Sequence, residues 1–535
     1  MAGVTSFHTF IIRSSPGALA GLLAGFTALA VAELAAALVR PGVGPVTVVG
    51  GAVIDRTPAP VKDFAIRAFG ESDKAVLQLG ILTLLVVCAV ALGILTTRHR
   101  RAGAAGVLLF GALGAAAALS RPDAAGPADA VPSVAGALAG AAVLYLLARE
   151  GVPTGSSPGQ GGSGGARWSR RGFLAAAAVT AAGATSAGAL GRFLGARRGR
   201  GALASRAALV LPEPASPAPA VPAGVRLKVP GISPFTTPNR DFYRVDTALV
   251  VPKIDAGDWR LRIHGRGLRR PRTYTLADLL ARPLIERDIT LTCVSNEVGG
   301  PYVGNARWLG VRLADLLAEC GVKPPSRGGP ADQLVARSVD GMTLGSPVED
   351  LMDGRDAMLA IGMNGEPLPF DHGFPVRMLV PGLYGYVSAC KWIEDIELTT
   401  FDAYDPYWVK RKWARRAPVR TQSRIDTPKP FARPAAGTVT VAGVAWAQRR
   451  GITRVEIRVD DGPWQEADLA AQDTVDTWRQ WSYRWRATPG GHTLTVRATD
   501  GTGTVQTDRR TGTVPDGATG RHSVFVTVTQ TTGPP

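Results

Sequence analysis

The hydrophobic positions divide the chain into an apolar N-terminal part and a mixed remainder. Five stretches, each nearly free of internal charge, are long enough or almost long enough to cross a bilayer. They are Gly17 to Val39, Ala75 to Leu95, Gly103 to Ser120, Val131 to Ala148 and Phe173 to Phe193. Residues 1–150 are therefore predicted to form an all-α transmembrane bundle of four helices, with a fifth transmembrane helix at residues 172–195.

From about residue 225 the pattern changes to short strands broken by turns, with two brief amphipathic helices. Strands alternate or run as short apolar segments, whereas helices place apolar residues three or four positions apart. The clearest are strands at Trp259 to His264 and Ile289 to Val294, and helices at Leu276 to Leu280 and Leu313 to Cys320. This mixture predicts an α+β domain over residues 225–405.

Residues 431–535 show alternating strands separated by turn signals such as Asp460-Asp-Gly-Pro and Pro489-Gly-Gly. Their spacing is typical of an all-β immunoglobulin-like sandwich. Three segments are predicted to connect these parts: a flexible cytoplasmic linker, a Pro-rich spacer and a further linker, at residues 151–171, 196–224 and 406–430. The fold class is thus multidomain.

Charge indicates how the chain lies at a membrane. The net charge is +17, but the basic residues are scattered or adjacent to the spans and are not interleaved with aromatic residues, so we expect no nucleic-acid partner. Basic residues at 98–101 and 167–171 predict that these two segments face the cytoplasm. The chain is then a multi-pass protein of the cell membrane, with everything after the fifth span outside.

Cys293 is the most informative of the four cysteines, whose spacing implies no disulfide. A lone Cys in an apolar strand is more often a small buried hydrophobic residue than a ligand. The stretch Ile289-Thr-Leu-Thr-Cys-Val-Ser-Asn-Glu-Val-Gly-Gly300, with the segment that follows to Leu313, nevertheless resembles the molybdenum-binding core of the sulfite oxidase family. The resemblance implies a molybdenum-molybdopterin cofactor, with Cys293 as metal ligand and catalytic residue.

Three further segments carry the same resemblance, at Thr237 to Thr247, Asp371 to Pro381 and Gly382 to Trp392. Taken without it, they would be turns, strands and loops with ordinary surface charges. The resemblance implies that Arg244 holds an anion at the metal and is catalytic. The cofactor-binding residues that it implies are Asn239, Tyr243, Arg244, His372, Arg377, Ser388 and Lys391.

One departure concerns the substrate. Animal and plant sulfite oxidases place an Asn-Arg pair shortly after the ligating Cys, whereas here Ser295-Asn-Glu-Val follows. The family implies a small oxyanion or S-oxide substrate, and the missing arginine leaves sulfite oxidation and reduction of S-oxides, such as methionine sulfoxide, both open. A catalytically silent membrane binding protein is the alternative from another class.

Two resemblances bear on export and partners. Ser169-Arg-Arg-Gly-Phe-Leu174 resembles a twin-arginine signal, which exports proteins that fold around a cofactor before crossing, although paired arginines also precede ordinary spans. The C-terminal domain resembles the one that pairs subunits in the family, which implies a homodimer. A single span would suffice as an anchor, so the other four favour a further partner, either a quinone or a redox protein.

Overall fold

The computed structural model describes residues 2–40, 42–58, 73–121, 126–148 and 170–530, together with positions 61, 64, 68, 69 and 124. The chain forms two compact units, the first comprising residues 1–201 with 248–251 and the second residues 202–247 with 252–535. The Gly/Ser-rich run of the linker predicted at residues 151–171 lies outside the described residues.

The first unit is helical. Its helices are α1 (Ala2–Val39), α2 (Pro45–Arg56), α3 (Asp73–Thr96), α4 (Arg100–Leu119), α5 (Val131–Ala148) and α6 (Arg170–Ala208), the last of which continues into the second unit. By length and composition, five helices could cross a membrane, in agreement with the five predicted spans: Pro16–Val39, Lys74–Thr96, Arg100–Leu119, Pro127–Leu147 and Arg171–Ala208. Small side chains of α1, including Ala20 and Ala24, pack against Leu144 and Leu147 of α5.

Helix α6 is longer than the sequence pattern predicts. The predicted fifth span ends at residue 195 and gives way to a spacer at residues 196–224, but the helix continues to Ala208. The residues that extend it are mainly Ala and Arg, which are strong helix formers, and the prolines begin only at Pro212. Only the later part of the predicted spacer is therefore extended.

The central domain contains two sheets of five strands each. One has the order β2-β1-β10-β5-β6, and the other has the order β3-β4-β7-β8 with β9 paired to β7. The strands are β1 (Arg260–Gly265), β2 (Arg272–Thr275), β3 (Leu284–Thr292), β4 (Val303–Arg312), β5 (Gln333–Ser338), β6 (Thr343–Pro347), β7 (Met358–Met363), β8 (Glu366–Pro367), β9 (Arg377–Leu379) and β10 (Ile393–Thr399). Short helices α7 (Leu276–Leu280), α8 (Leu313–Glu319), α9 (Val348–Leu351) and α10 (Gly385–Ser388) connect them.

Strands β3 and β4 place the Cys293 segment. They form an antiparallel pair in which Thr292 is opposite Val303, so residues 293–302 form the loop between them. The last five residues of β3 are all buried, which fixes its register because a slip by one residue would exchange the two faces. Beside them, β7 pairs with β4 and with β9, and β9 begins at Arg377.

The C-terminal domain is a β-sandwich of two four-stranded antiparallel sheets. The strand orders are β11-β12-β16-β15 and β14-β13-β17-β18. The strands are β11 (Gln422–Thr427), β12 (Gly437–Trp446), β13 (Ile452–Val459), β14 (Gln465–Glu466), β15 (Asp468–Leu469), β16 (Arg479–Ala487), β17 (Gly490–Asp500) and β18 (His522–Val528). Trp481 and Trp485 pack in the core of the sandwich.

The linker predicted at residues 406–430 contains a strand, β11. The strand pairs with β12, so the sandwich begins near Gln422 and not at residue 431. Its sequence, Gln-Ser-Arg-Ile-Asp-Thr, has no alternation of apolar and polar residues and so did not indicate a strand. The polar side chains can be buried because they are hydrogen-bonded within the protein; for example, Ser423 Oγ donates to Gln506 Oε1 at 2.6 Å.

Candidate functional site

Cys293 follows β3 directly and is only 8% exposed. Its backbone N–H donates to Tyr302 O at 2.9 Å, which closes the loop between β3 and β4. Burial raises the pKa of the thiol, while hydrogen bonds from Ser295 and the positive charge of Lys391 lower it. A soft metal cation bound to the sulfur would favour the thiolate form, which burial alone disfavours.

A group of buried basic side chains lies near the thiol. Arg377 is 4% exposed, and its guanidinium lies 5.4 Å from the centre of the Trp308 ring. Lys391 is 5% exposed, and burial together with the Arg377 charge lowers its pKa to about 8, although Asp246 raises it. Arg244 is about one-third exposed and lies at the edge of the group.

Asp246 is the counter-ion of this group. One of its carboxylate oxygens lies 3.0 Å from Lys391 Nζ and 3.2 Å from Arg244 Nε. Two cations thus share one nearly buried carboxylate, while Arg377 forms no ion pair within 4 Å in the described part of the chain. The group therefore carries an excess of positive charge in a place with little water, where an anion would be strongly attracted.

His372 lies next to Arg377 and is neutral at ordinary pH. Burial, together with the charges of Arg377 and Lys391, lowers its pKa to about 4. Its Nε2 lies 2.9 Å from the backbone oxygen of Asn239, so this nitrogen carries the proton and Nδ1 is an acceptor. Gly373 permits the close packing, since it has φ +110° and an added Cβ would lie 3.1 Å from Lys391 Cα.

Two buried polar atoms of this group lack a partner among the described residues, namely Arg377 Nε and His372 Nδ1. Buried polar groups in folded proteins are almost always hydrogen-bonded, so unpaired ones point to a ligand or an ordered water. Here one atom is a donor and the other an acceptor. A ligand that satisfies both must carry an anionic or acceptor group and also an N–H or O–H.

The structure places the remaining predicted residues differently. Asn239 uses its side chain within the protein: Oδ1 accepts from Asn364 Nδ2 at 2.8 Å and Nδ2 donates to Glu366 Oε1 at 2.6 Å. Ser388 is fully buried, and its hydroxyl points to the carbonyl oxygens of Leu383 and Tyr384. The predicted cofactor contacts of these two side chains stay predictions, since both already have protein partners.

Tyr243 lies within the electrostatic reach of both the thiol and Arg377. Burial raises its pKa above the usual range, the Cys293 charge raises it further and Arg377 lowers it. Its ring stacks on Phe242 at 5.1 Å, and Phe242 in turn meets the His372 ring edge to face at 5.5 Å. The structure therefore brings Tyr243, Arg244, Cys293, His372, Arg377 and Lys391 into one region.

Asp246 and Trp308 belong to this region but were not predicted as site residues. The signal for Asp246 was its position two residues after Arg244, which places both side chains on one side of an extended segment. Trp308 gave no such signal, because a Trp in a buried strand is ordinary core. Only the stacking of the Arg377 guanidinium on its ring distinguishes it.

Two known domain families match parts of this chain. Residues 248–408 match the oxidoreductase molybdopterin binding domain, and residues 422–496 match the bacterial Ig domain. The chain is 31% identical over 291 residues to the mitochondrial sulfite oxidase of Mus musculus, which covers 47% of this chain and 53% of that protein. The central domain is a molybdopterin-binding oxidoreductase domain of the sulfite oxidase family.

Two other proteins, whose names give different activities, are similar to parts of this chain. Nitrate reductase [NADH] 1 of Oryza sativa subsp. japonica is 33% identical over 199 residues, covering 33% of this chain and 21% of that protein. The crystal structure of the sulfane dehydrogenase SoxCD from Paracoccus pantotrophus is 26% identical, covers 55% of this chain and 82% of that chain, and has a TM-score of 0.48. The chain spans about half the length of the mouse sulfite oxidase that it matches.

The residues present fit the cofactor of such a domain. A molybdopterin carries a phosphate for a guanidinium donor and a pterin with N–H groups for a neutral imidazole acceptor, which matches Arg377 Nε and His372 Nδ1. Among the described residues no three His, Cys, Asp or Glu side chains converge on one point. A metal here would therefore depend mainly on the cofactor and on one protein thiolate, for which Cys293 is the candidate.

Proposed function

We propose that the protein is a membrane-anchored, extracytoplasmic molybdopterin-dependent oxidoreductase that transfers an oxygen atom or electrons to or from a small oxyanion or S-oxide. The observation that carries this proposal is the buried, cation-rich region beside Cys293, in which Arg377 Nε and His372 Nδ1 have no hydrogen-bond partner among the described residues. What favours a ligand here is that the unpaired donor and the unpaired acceptor lie together, beside the thiol and the buried cations.

The side chains of this chain have separate tasks in the proposed reaction. Arg377 and His372 bind the phosphate and pterin, and Cys293 supplies the thiolate. Bound cofactor supplies the redox chemistry itself. Lys391 binds the anionic cofactor by charge, and Arg244, which shares the Asp246 carboxylate with Lys391 and is about one-third exposed, holds the anionic substrate.

The substrate is an anion or S-oxide and not necessarily sulfite. The place of the expected Asn-Arg pair is taken by Asn296, whose Oδ1 accepts the Tyr302 N–H at 2.8 Å, and by Glu297, which is exposed. Neither adds positive charge, so substrate binding depends on Arg244. Sulfite oxidation and reduction of S-oxides such as methionine sulfoxide are both consistent with this charge, and a silent binding protein is the alternative from another class.

Metal and pterin analysis separates the enzyme from the silent binding protein. We expect the full chain, purified in detergent from a host that makes molybdopterin, to contain about one molybdenum and one pterin per chain. Assays with ferricyanide or a reduced viologen against sulfite, S-oxides and N-oxides then identify the substrate class. Protein from that host with neither molybdenum nor pterin would favour the silent binding protein.

Arg377→Ala should lower cofactor occupancy more than it lowers the activity per bound cofactor. The substitution removes a buried charged donor to the cofactor's anionic part, a contact worth about 2 kcal/mol, while the metal ligand remains. Pterin and molybdenum per chain measure this directly. Arg240→Ala is the matched control, since Arg240 follows Asn239, whose backbone oxygen bonds His372, but its side chain is 86% exposed. Equal cofactor content in wild type and Arg377→Ala would contradict the assignment.

We propose that α6 is an internal twin-arginine signal and the last anchor, with the catalytic domain outside. Replacing Arg170 and Arg171 together by Lys keeps the charge but removes the arginine pair that this route requires. We expect the catalytic domain to stay inside the cell in this variant, as measured by protease protection in spheroplasts. Wild-type export of the variant would show that the arginines serve only as juxtamembrane charges.

The remaining spans and the sandwich suggest partners. Five helices exceed the need of an anchor, so we propose that the helical unit meets a quinone or a redox protein that exchanges electrons with the cofactor. We also propose that the sandwich forms a homodimer interface, as the family resemblance implies.

A further inference from the structure

The β-sandwich contacts the chain on both sides of Cys293. Before it, Gln448 Nε2 donates to Thr290 O at 2.9 Å and to Thr292 Oγ1 at 3.2 Å, at the end of β3. After it, the His522 ring lies against Gly299, where φ is +82° and an added Cβ would be 2.2 Å from His522 Cδ2. The thiol therefore lies between two contacts made by another domain.

The side chains that make these contacts are themselves fixed. Gln448 is 1% exposed, so it lies in a dry environment where its hydrogen bonds are not exchanged with water. His522 Nδ1 accepts the N–H of Ile425 in β11 at 3.0 Å. Neither side chain is free to take up another rotamer without losing a buried hydrogen bond.

Arg424 adds a third contact on the same side as His522. Its Nη1 donates to Gly300 O at 2.8 Å, and its Nε pairs with Asp426 Oδ1 at 2.7 Å. Its Nη2 donates to Ser233 Oγ at 2.9 Å, in the segment that leads to Asn239. Strand β11, which the sequence did not predict, thus joins the Cys293 loop to the segment that carries Arg244.

We propose that Gln448 and His522 are positioning residues for Cys293, so that the sandwich holds the thiol in place from both ends of its loop. Loops that are not fixed in this way are the mobile parts of a fold, and a metal ligand must be held within a fraction of an ångström. This goes beyond a dimerisation role for the sandwich. Its catalytic consequence rests on the proposed function, but the position of the thiol does not.

The reactivity of the Cys293 thiol tests the proposal without cofactor. The full chain is made in a host that lacks molybdopterin, treated with iodoacetamide, and analysed by peptide mass spectrometry for alkylation of Cys293 and Cys320. Cys320 is buried in the same domain, with Sγ 3.7 Å from Tyr274 OH, and reports general loosening. Because buried thiols react through local opening, the ratio of the two rates reports the Cys293 loop alone.

Three variants and one matched control decide the outcome. Gln448→Met and His522→Leu remove the hydrogen bonds at similar volume and should each raise the Cys293 rate about tenfold relative to Cys320. His522→Asn keeps an acceptor near the position of Nδ1 and should stay near wild type. Gln480→Met is the control, because Gln480 is also buried and bonds Leu227 N and Ser233 O, but does not touch the Cys293 loop.

The proposal is overturned if Gln448→Met and His522→Leu leave the Cys293 rate unchanged, or if Gln480→Met raises it equally. It is also overturned if Cys320 accelerates as much as Cys293, since the effect is then global. A wild-type chain that binds no molybdenum in a cofactor-competent host would refute the proposed function, while the alkylation ratios would still decide the positioning role. With cofactor bound, the same two variants should alter the molybdenum spectrum.

Discussion

Cys293→Ser should reduce activity at least about a hundredfold, which corresponds to about 3 kcal/mol in the barrier if chemistry limits the rate. A hydroxyl is a far poorer molybdenum ligand than a thiolate, yet it is nearly the same size, so the fold around this buried position should stand. We expect retained pterin and an altered molybdenum spectrum. Steady-state kinetics, pterin analysis and the spectrum of the purified full chain measure the three effects.

Cys320→Ser is the matched control for this prediction. Cys320 is also a buried thiol of the same domain, but its contact is the Tyr274 hydroxyl and it is remote in sequence from the loop between β3 and β4. The control should keep its activity and its molybdenum spectrum even if it loses some stability. Full activity with an unchanged spectrum in Cys293→Ser would remove the ligand assignment.

The structure of the segment around Cys293 was predictable because its local sequence pattern and its fold agree. A short apolar run followed by Gly-Gly predicts a buried strand and a loop, and β3 with the loop at residues 293–302 is what forms. The family resemblance then added His372, Arg377 and Lys391 to the predicted site, although they lie far from Cys293 in sequence. Periodicity could not do this, since it carries no information about which distant segments meet.

Other features were hidden because they depend on partners that are distant in sequence. Asp246 becomes a counter-ion only because Lys391, 145 positions later, folds against it. Strand β11 has no apolar alternation, and its polar side chains can still be buried because they are hydrogen-bonded, as Arg424 is to Asp426 and Gly300. Hydrophobic periodicity predicts which apolar side chains are buried, but it does not predict which polar side chains are buried with hydrogen-bond partners.

The difference between Asn239 and Arg377 shows why motif residues need not share a role. Both lie in segments that resemble the family, yet the Asn239 amide is engaged with Asn364 and Glu366, whereas Arg377 Nε has no partner among the described residues. Asn239 acts through its backbone oxygen, which fixes the proton of His372 on Nε2. It is thus expected to orient a cofactor-binding side chain.

Asp246→Asn should destabilise the cofactor-free protein by about 3 kcal/mol, and the cofactor-loaded protein by much less. The Asp246 carboxylate is 4% exposed and neutralises Lys391, which is 6% exposed, so its removal leaves a buried cation without a counter-charge beside Arg377. A bound anionic cofactor would supply that missing charge. Thermal unfolding of the full chain in detergent, with and without cofactor, measures the two effects.

Asp371→Asn is the control, because Asp371 is 55% exposed and lies 3.9 Å from Arg244, a distance at which an exposed ion pair contributes little. It should change the unfolding temperature of either form only slightly. Equal destabilisation of the loaded and cofactor-free proteins by Asp246→Asn would mean that the cofactor's negative charge does not reach Lys391. The cation-rich region would then serve the substrate alone, and the assignment of Lys391 to the cofactor would be withdrawn.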